Sequence, residues 1–282
     1  MALQTYPGNC HCGAFRFVIT CPPITSAKEC NCSLCSKKRY LWIDVPVTKF
    51  AVVRGVEEEL TGYSFGVKKT VHKFCPICGT GILMRRLHEA ESKEGEEEVR
   101  INARTLLDID PFQLKTEKIN NLASEPAYTP PTFQGDLPAG DEGMKLYAGG
   151  CHCGAVTVAV KSKPLPEAEV REDNCSICRR NGNTAIYPTR PFIRLAGPEN
   201  TTMYRFGKSY VGHPFCKTCG VQVYMHVFGP EVRESWSEEM RKMVREKCEI
   251  VPVRVAVLEG VEWSELKVER SDEGTEGYVL GP

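Results

Sequence analysis

The sequence has no excess of charge of either sign: Lys and Arg together number 36, as do Asp and Glu, so the formal net charge is zero. That balance lacks the electrostatic footprint of a general nucleic-acid binder or of a protein that seats on an anionic membrane. Long apolar runs are also missing; none approaches the ~20 residues that cross a bilayer. The first residues, Met1 to Gly8, carry neither the basic nor the apolar segment of an export signal. The expectation is a soluble intracellular protein with no membrane partner, cytoplasmic, with a nuclear location left open. Nucleic acid is not an expected partner.

What the chain does have is cysteine, 15 in 282 residues. In a small secreted protein such a number would mean disulfides. An odd count, close pairs and no export signal point instead to reduced thiolates on metal.

The cysteines repeat. Cys10-His11-Cys12-Gly13-Ala14 recurs as Cys151-His152-Cys153-Gly154-Ala155, an offset of 141 positions. Phe74-Cys75-x-x-Cys78-Gly79 and Phe215-Cys216-x-x-Cys219-Gly220 keep that offset, as do Tyr63-x-Phe65-Gly66 with Tyr204-x-Phe206-Gly207, and His72 with His213. Solenoid periods run to roughly 50 residues, so a repeat this long is a whole domain. The expected organisation is a zinc domain over 3–123, a Pro/Gly-rich linker over 124–144, a second zinc domain over 145–270 and a tail over 271–282.

Most of the local signal is β. Ala14–Thr20 and Ala155–Val160 are β-branched or aromatic runs directly after the first cysteine pair. Leu41–Val47, Phe50–Val53, Gly81–Arg85 and Val99–Thr105 read likewise, answered in repeat two by Phe192–Leu195, Val221–Val227 and Pro252–Leu258. The expected fold class is mainly β: a tandem duplication of a small zinc-stapled domain of several antiparallel sheets.

Aligning Val99-Arg100-Ile101 with Val253-Arg254-Val255 raises the offset from 141 to 154, so repeat two carries 13 extra residues. Val232, Trp236, Met240, Met243 and Val244 fall there on one face at helical spacing, which predicts a short added helix. Packing on its own domain is its simplest role, and a lid or junction cover the next. The matching stretch in repeat one, Glu89 to Glu98, is acidic and reads as a solvated loop.

Repeat one holds three thiol clusters: Cys10-x-Cys12, Cys30-x-Cys32-x-x-Cys35 and Cys75-x-x-Cys78. Structural zinc takes four tetrahedral ligands, which the two paired knuckles Cys10, Cys12, Cys75 and Cys78 supply. Cys30, Cys32 and Cys35 on one short loop can hold a second zinc with its fourth position open, the mark of a catalytic site. Repeat two has the complete closed set Cys151, Cys153, Cys216 and Cys219, but its triple reads Asp173, Cys175, Cys178. There a hard oxygen replaces a soft sulfur, so a fourth zinc is held more weakly or the site stands empty. A thioredoxin-type dithiol is disfavoured, because no helical pattern follows these pairs. His11 and His152 read as outward turn residues, His72 and His213 as strand histidines bonded locally, and Cys21 and Cys248 as unligated thiols.

Gly-x-Cys-x-Cys-Gly-Ala, then Cys-x-Cys-Ser-x-Cys, then Phe-Cys-x-x-Cys-Gly, closing on Val99-Arg100-Ile101-Asn102 and Leu106-Leu107-Asp108, resembles the glutathione-dependent formaldehyde-activating family, also called the centromere protein V domain. The resemblance covers both repeats. It implies that Cys10, Cys12, Cys75 and Cys78 are structural ligands, that Cys30, Cys32 and Cys35 hold a catalytic zinc, and that glutathione is substrate or cosubstrate. The implied activity is that of a zinc-dependent carbon–sulfur lyase acting on a small thiol or thioether, making, breaking or rearranging glutathione adducts. Lys37, Lys38 and Arg39 are candidates to hold glutathione carboxylates or to offset the negative charge of a zinc-thiolate centre, with a solvated charge run as the other reading. A non-catalytic tandem binding module for protein or nucleic acid is the alternative function. Duplication further predicts that the repeats pack as an internal pseudo-dimer.

Overall fold

The structure is a computed structural model that describes residues 2–87, 97–122 and 127–272. Repeat one runs β1 (Gln4–Asn9), β2 (Arg16–Cys21), β3 (Ser26–Cys30), α1 (Ser33–Lys38), β4 (Trp42–Pro46), β5 (Phe50–Arg54), β6 (Thr61–Tyr63), β7 (Thr70–Phe74), β8 (Gly81–Arg86), β9 (Glu98–Asn102) and β10 (Lys115–Ile119). Repeat two answers with β11 (Lys145–Gly150), β12 (Thr157–Ser162), β13 (Val170–Asp173), α2 (Ser176–Asn181), β14 (Thr184–Ile186), β15 (Ile193–Ala196), β16 (Thr201–Arg205), β17 (Val211–Cys216), β18 (His226–Val227), α3 (Glu238–Cys248), β19 (Val253–Arg254) and β20 (Val268–Ser271). No helix among the described residues is long and apolar enough to cross a membrane.

Each repeat begins with a three-stranded antiparallel sheet, β1-β2-β5 and β11-β12-β15. Alternation drives the pairing: along β2, Phe17, Ile19 and Cys21 are buried while Arg16, Val18 and Thr20 are partly exposed. Repeat one then forms a seven-stranded sheet in the order β10-β3-β4-β9-β8-β7-β6. In repeat two the same order is cut into β19-β14-β13-β20 and β16-β17-β18, joined at the cut by the isolated bridge Tyr224–Val253. The extra residues enter between β18 and β19, where they shorten the two strands that would have continued the sheet.

Three expectations need correction. The sheets are not wholly antiparallel, because β10 pairs parallel with β3 and β20 pairs parallel with β13. The added helix starts at Glu238, capped by Ser237, whose Oγ accepts the Met240 N–H at 3.2 Å; Val232 and Trp236 precede it. Of its apolar face only Val244 is buried, and the helix rests on the 228–229 loop of its own repeat, where the Cys248 thiol donates to the Phe228 carbonyl at 3.3 Å. Finally, the central triples do not lie on loops: each runs from the end of a strand, β3 or β13, through the N-cap and into the first turn of a further short helix, α1 or α2. Most of the acidic stretch Glu89 to Glu98, the end of the tail and residues 123–126 of the linker lie outside the described residues.

The two repeats contact each other through their zinc knuckles. Phe74 and Phe215 meet edge to face with centroids 6.2 Å apart. Gly79 and Gly220 close the facing knuckles with φ of +73° and +68°, and a Cβ on them would lie 2.5 Å from the Phe215 ring and 2.7 Å from Phe74. Only glycine serves both the left-handed turn and the approach. Leu34 of α1 is buried in the hydrophobic core of repeat two, and Tyr204 packs against that of repeat one.

Candidate metal centres

The closed sets are assembled by backbone turns. Gly13 N–H donates to the Cys10 carbonyl at 2.9 Å and Gly79 N–H to the Cys75 carbonyl at 2.9 Å, with Gly154 and Gly220 repeating the pattern. These turns bring Cys10, Cys12, Cys75 and Cys78 together with all sulfurs within 4.8 Å, and likewise Cys151, Cys153, Cys216 and Cys219. Neighbouring sulfurs stand 3.5 to 3.6 Å apart. Tetrahedral zinc with bonds of about 2.3 Å separates its sulfurs by about 3.8 Å, so both sets fit the ion. Backbone N–H groups of Phe15 and Val156 point at Cys10 and Cys151 at 3.3 and 3.2 Å, as donors to thiolate should.

The central triple of repeat one is differently placed. Cys30 ends β3, Cys32 is the N-cap of α1 and Cys35 lies in its first turn, their sulfurs again within 4.8 Å. The Cys32-x-x-Cys35 pair therefore does open a helix, contrary to expectation. What sets it apart from a redox dithiol is the third sulfur. The Asn121 amide donates to Cys30 at 3.2 Å and the Trp42 indole to Cys35 at 3.2 Å. Hydrogen bonds from the Cys32 and Cys35 thiols, with the Cys32 N–H and Asn121, hold the Cys30 thiol down to about 2, so its proton leaves first. The hydrogen bond to Cys30 pushes Cys32 up to about 12.

The triple opens onto a cleft of about 450 Å³. Trp42, Phe65, His72 and Met84 form its apolar wall, and Lys69, Arg86 and Arg100 line its polar side. His72 is buried, its Nδ1 has no hydrogen-bond partner among the described residues, and burial followed by the Lys38 charge lowers it to about 3, so it is a neutral imidazole. His213, its counterpart, meets Gln222 at 3.3 Å. The local-bond expectation therefore describes His213 and not His72.

Lys37, Lys38 and Arg39 do not line this cleft. Lys37 donates to Glu259 at 2.7 Å and to the Val257 carbonyl at 3.3 Å, both in repeat two. Lys38 donates to the Gly220 carbonyl at 2.6 Å between the closed sets; burial lowers it to about 7, against the pull of the Cys219 thiolate. Arg39 stacks over Trp263 with its guanidinium 4.3 Å from the ring centre. All three face the other repeat, because α1 is docked there. The cleft cations Lys69, Arg86 and Arg100 come from β7, β8 and β9 or their flanks, a convergence that no local motif announces.

His11 and His152 are also not outward turn residues. Both are buried, and each ring reaches the other repeat: His11 bonds Tyr204 at 2.8 Å and Ser176 at 2.9 Å, and His152 bonds Tyr63 at 2.8 Å and Ser33 at 2.9 Å. Neither belongs to a metal set. The repeated Tyr-x-Phe-Gly motif was the sequence signal that could have found these bonds.

In repeat two Asp173, Cys175 and Cys178 lie within 4.8 Å of one another, so the altered set remains assembled. Asp173 Oδ1 accepts the Cys175 N–H at 3.1 Å, a bond that competes for one carboxylate oxygen. In register with Trp42 stands Ala185, so the indole is lost from the wall, whereas Phe206, His213 and Met225 answer Phe65, His72 and Met84.

Comparison with known proteins agrees with the thiol pattern. A family model described as glutathione-dependent formaldehyde-activating enzyme matches residues 5–118 and 146–239. The chain belongs to this family. The second match ends at residue 239, in the first turn of α3. A solved structure of a Rhodobacter sphaeroides protein shares 33% identity with this member of the family, over 44% of this chain and 99% of its own, at a TM-score of 0.34.

Proposed function

We propose that the chain is a zinc-dependent enzyme that forms, cleaves or rearranges the carbon–sulfur bond of glutathione adducts, and that its working centre is the triple Cys30, Cys32 and Cys35. The observation that carries the reading is that these three sulfurs, alone among the complete thiol sets, line a cleft large enough for a small substrate. Zinc held there would stabilise a substrate sulfur as thiolate, which attacks in the forming direction and leaves in the cleaving one.

The chain's own groups supply the rest. The Trp42 and Asn121 N–H groups donate to ligand sulfurs and disperse their charge. Lys69 and Arg86 line a polar edge that suits the carboxylates of glutathione, Arg100 beside them is paired with Asp44 at 2.7 Å, and Trp42, Phe65 and Met84 line the apolar wall. Addition to an aldehyde moves one proton from substrate sulfur to the carbonyl oxygen, so it needs no oxidant or reductant. His72 lines the cleft as a neutral ring whose Nδ1 has no hydrogen-bond partner among the described residues.

One closed zinc in each repeat and one open zinc in repeat one are the proposed metal content, with the Asp173, Cys175 and Cys178 set holding a fourth ion weakly or standing empty. Zinc analysis together with a screen of glutathione adducts tests the assignment. Adduct turnover by the intact chain that is lost in Cys32→Ser supports it. Turnover retained in Cys32→Ser refutes it.

A further inference from the structure

α1 carries two of the three sulfurs of the open triple, yet much of what holds α1 comes from repeat two. Leu34, between Cys32 and Cys35, is 1% exposed and belongs to the core of repeat two. Lys37, two residues after Cys35, is tied to Val257 and Glu259. Ser33, next to Cys32, shares a 2.9 Å hydrogen bond with His152 Nε2, and His152 sits between two ligands of the closed set of repeat two. The other ring nitrogen bonds the Tyr63 hydroxyl at 2.8 Å. A neutral imidazole has one donor and one acceptor, so the two hydroxyls take opposite roles and the ring is fixed at both ends.

The mirror arrangement exists around His11, Ser176 and Tyr204. Tyr128 stacks on His152 with centroids 4.5 Å apart and donates its hydroxyl to the His152 carbonyl at 3.0 Å. This clamp falls on the side that faces the intact triple. The chain thus carries altered chemistry at one triple while keeping the knuckle that braces the other.

We propose, on the assignment of Cys30, Cys32 and Cys35 as a metal centre and independently of its substrate, that repeat two is the positioning element of that centre. His152 is the positioning residue, coupling the closed set of repeat two to the Cys32 cap of α1. Outer-shell contacts of this kind typically govern metal affinity by 10- to 100-fold, because they fix the ligands before the ion arrives.

The test uses the full chain with its closed sets loaded with zinc, titrated with cobalt(II) at the open triple and followed by the thiolate-to-cobalt charge-transfer and ligand-field bands. Ser33→Ala and His152→Gln should each weaken cobalt binding at least about tenfold. The double variant should be no weaker than the worse single, and Ser33→Thr should restore affinity. Tyr204→Phe, on the mirror side, should leave it within about twofold of the parent; the bound reflects a site with no shared partner. If His152→Gln sheds the zinc of repeat two, Ser33→Ala decides, since it removes only a hydroxyl. Unchanged cobalt affinity in Ser33→Ala, or equal damage from Tyr204→Phe, overturns the proposal while leaving the proposed centre intact. A parent chain with no cobalt site at the triple overturns both.

Discussion

Truncating Phe74 and Phe215, singly and together, measures how far the two repeats depend on each other. Their side chains are 1% and 3% exposed, they meet edge to face, and each ring covers the glycine that closes the opposite knuckle. A buried phenylalanine removes some 150–250 Å² from water, about 4–6 kcal/mol at 25 cal/mol per Å², and measured Phe→Ala changes of roughly 3–5 kcal/mol favour the lower end. Each single variant of the zinc-loaded chain should therefore lose about 4 kcal/mol in urea unfolding. The pair of rings adds about 1 kcal/mol of its own, so the double variant should lose about 7 rather than about 8 kcal/mol. The parent should unfold in one transition. Strict additivity with two separate transitions in the parent would refute the view that the knuckles form one shared core.

Cys75→Ser should unfold repeat one, whereas Cys32→Ser should keep the fold and lose activity, read by circular dichroism beside an adduct assay; equal stability of the two variants would break the division into closed and open sites. Chelation should unfold the chain cooperatively, because closed thiolate sites contribute on the order of 10 kcal/mol apparent to small domains, and a chain still folded after two zinc equivalents are removed would contradict it. Asp173→Cys should raise zinc content toward four per chain, and Cys30→Asp should lower both occupancy and turnover. Loss of turnover in Asp173→Ala with Cys30→Ala unaffected would move the active site to repeat two. Lys69→Met should raise KM for glutathione adducts by about tenfold with little change in kcat, since it removes binding rather than chemistry, while Lys37→Met should change stability and leave KM alone.

The parts of the fold that were legible in the sequence are those written in short range. Each closed set consists of two local turns with glycine at the left-handed position, and the repeat at an offset of 141 marks both copies. Strands with strict alternation, such as β2, also declare themselves. What was hidden depends on contacts across the chain. Asn121 reaches Cys30 only because β10 lies parallel to β3, with Ile119 beside Cys30. Lys37 and Lys38 follow the triple in sequence and so resembled substrate ligands. The helix that starts at Ser33 turns them toward the other repeat instead. That helix itself is six residues long, too short for an amphipathic period to stand out, and it is stabilised by the core it enters. The knuckle histidines lie in a polar-looking turn, and each ring is met by side chains of the other repeat.

The most direct test of the central claim is the exchange rate between free and glutathione-bound formaldehyde, measured by magnetization-transfer NMR with the full chain and with two serine variants. Enzyme-dependent exchange should be present in the parent, present in Cys175→Ser and absent in Cys32→Ser. Exchange abolished by Cys175→Ser but retained by Cys32→Ser, or no enhancement for the parent with this or any other glutathione adduct, would contradict a catalytic centre at Cys30, Cys32 and Cys35.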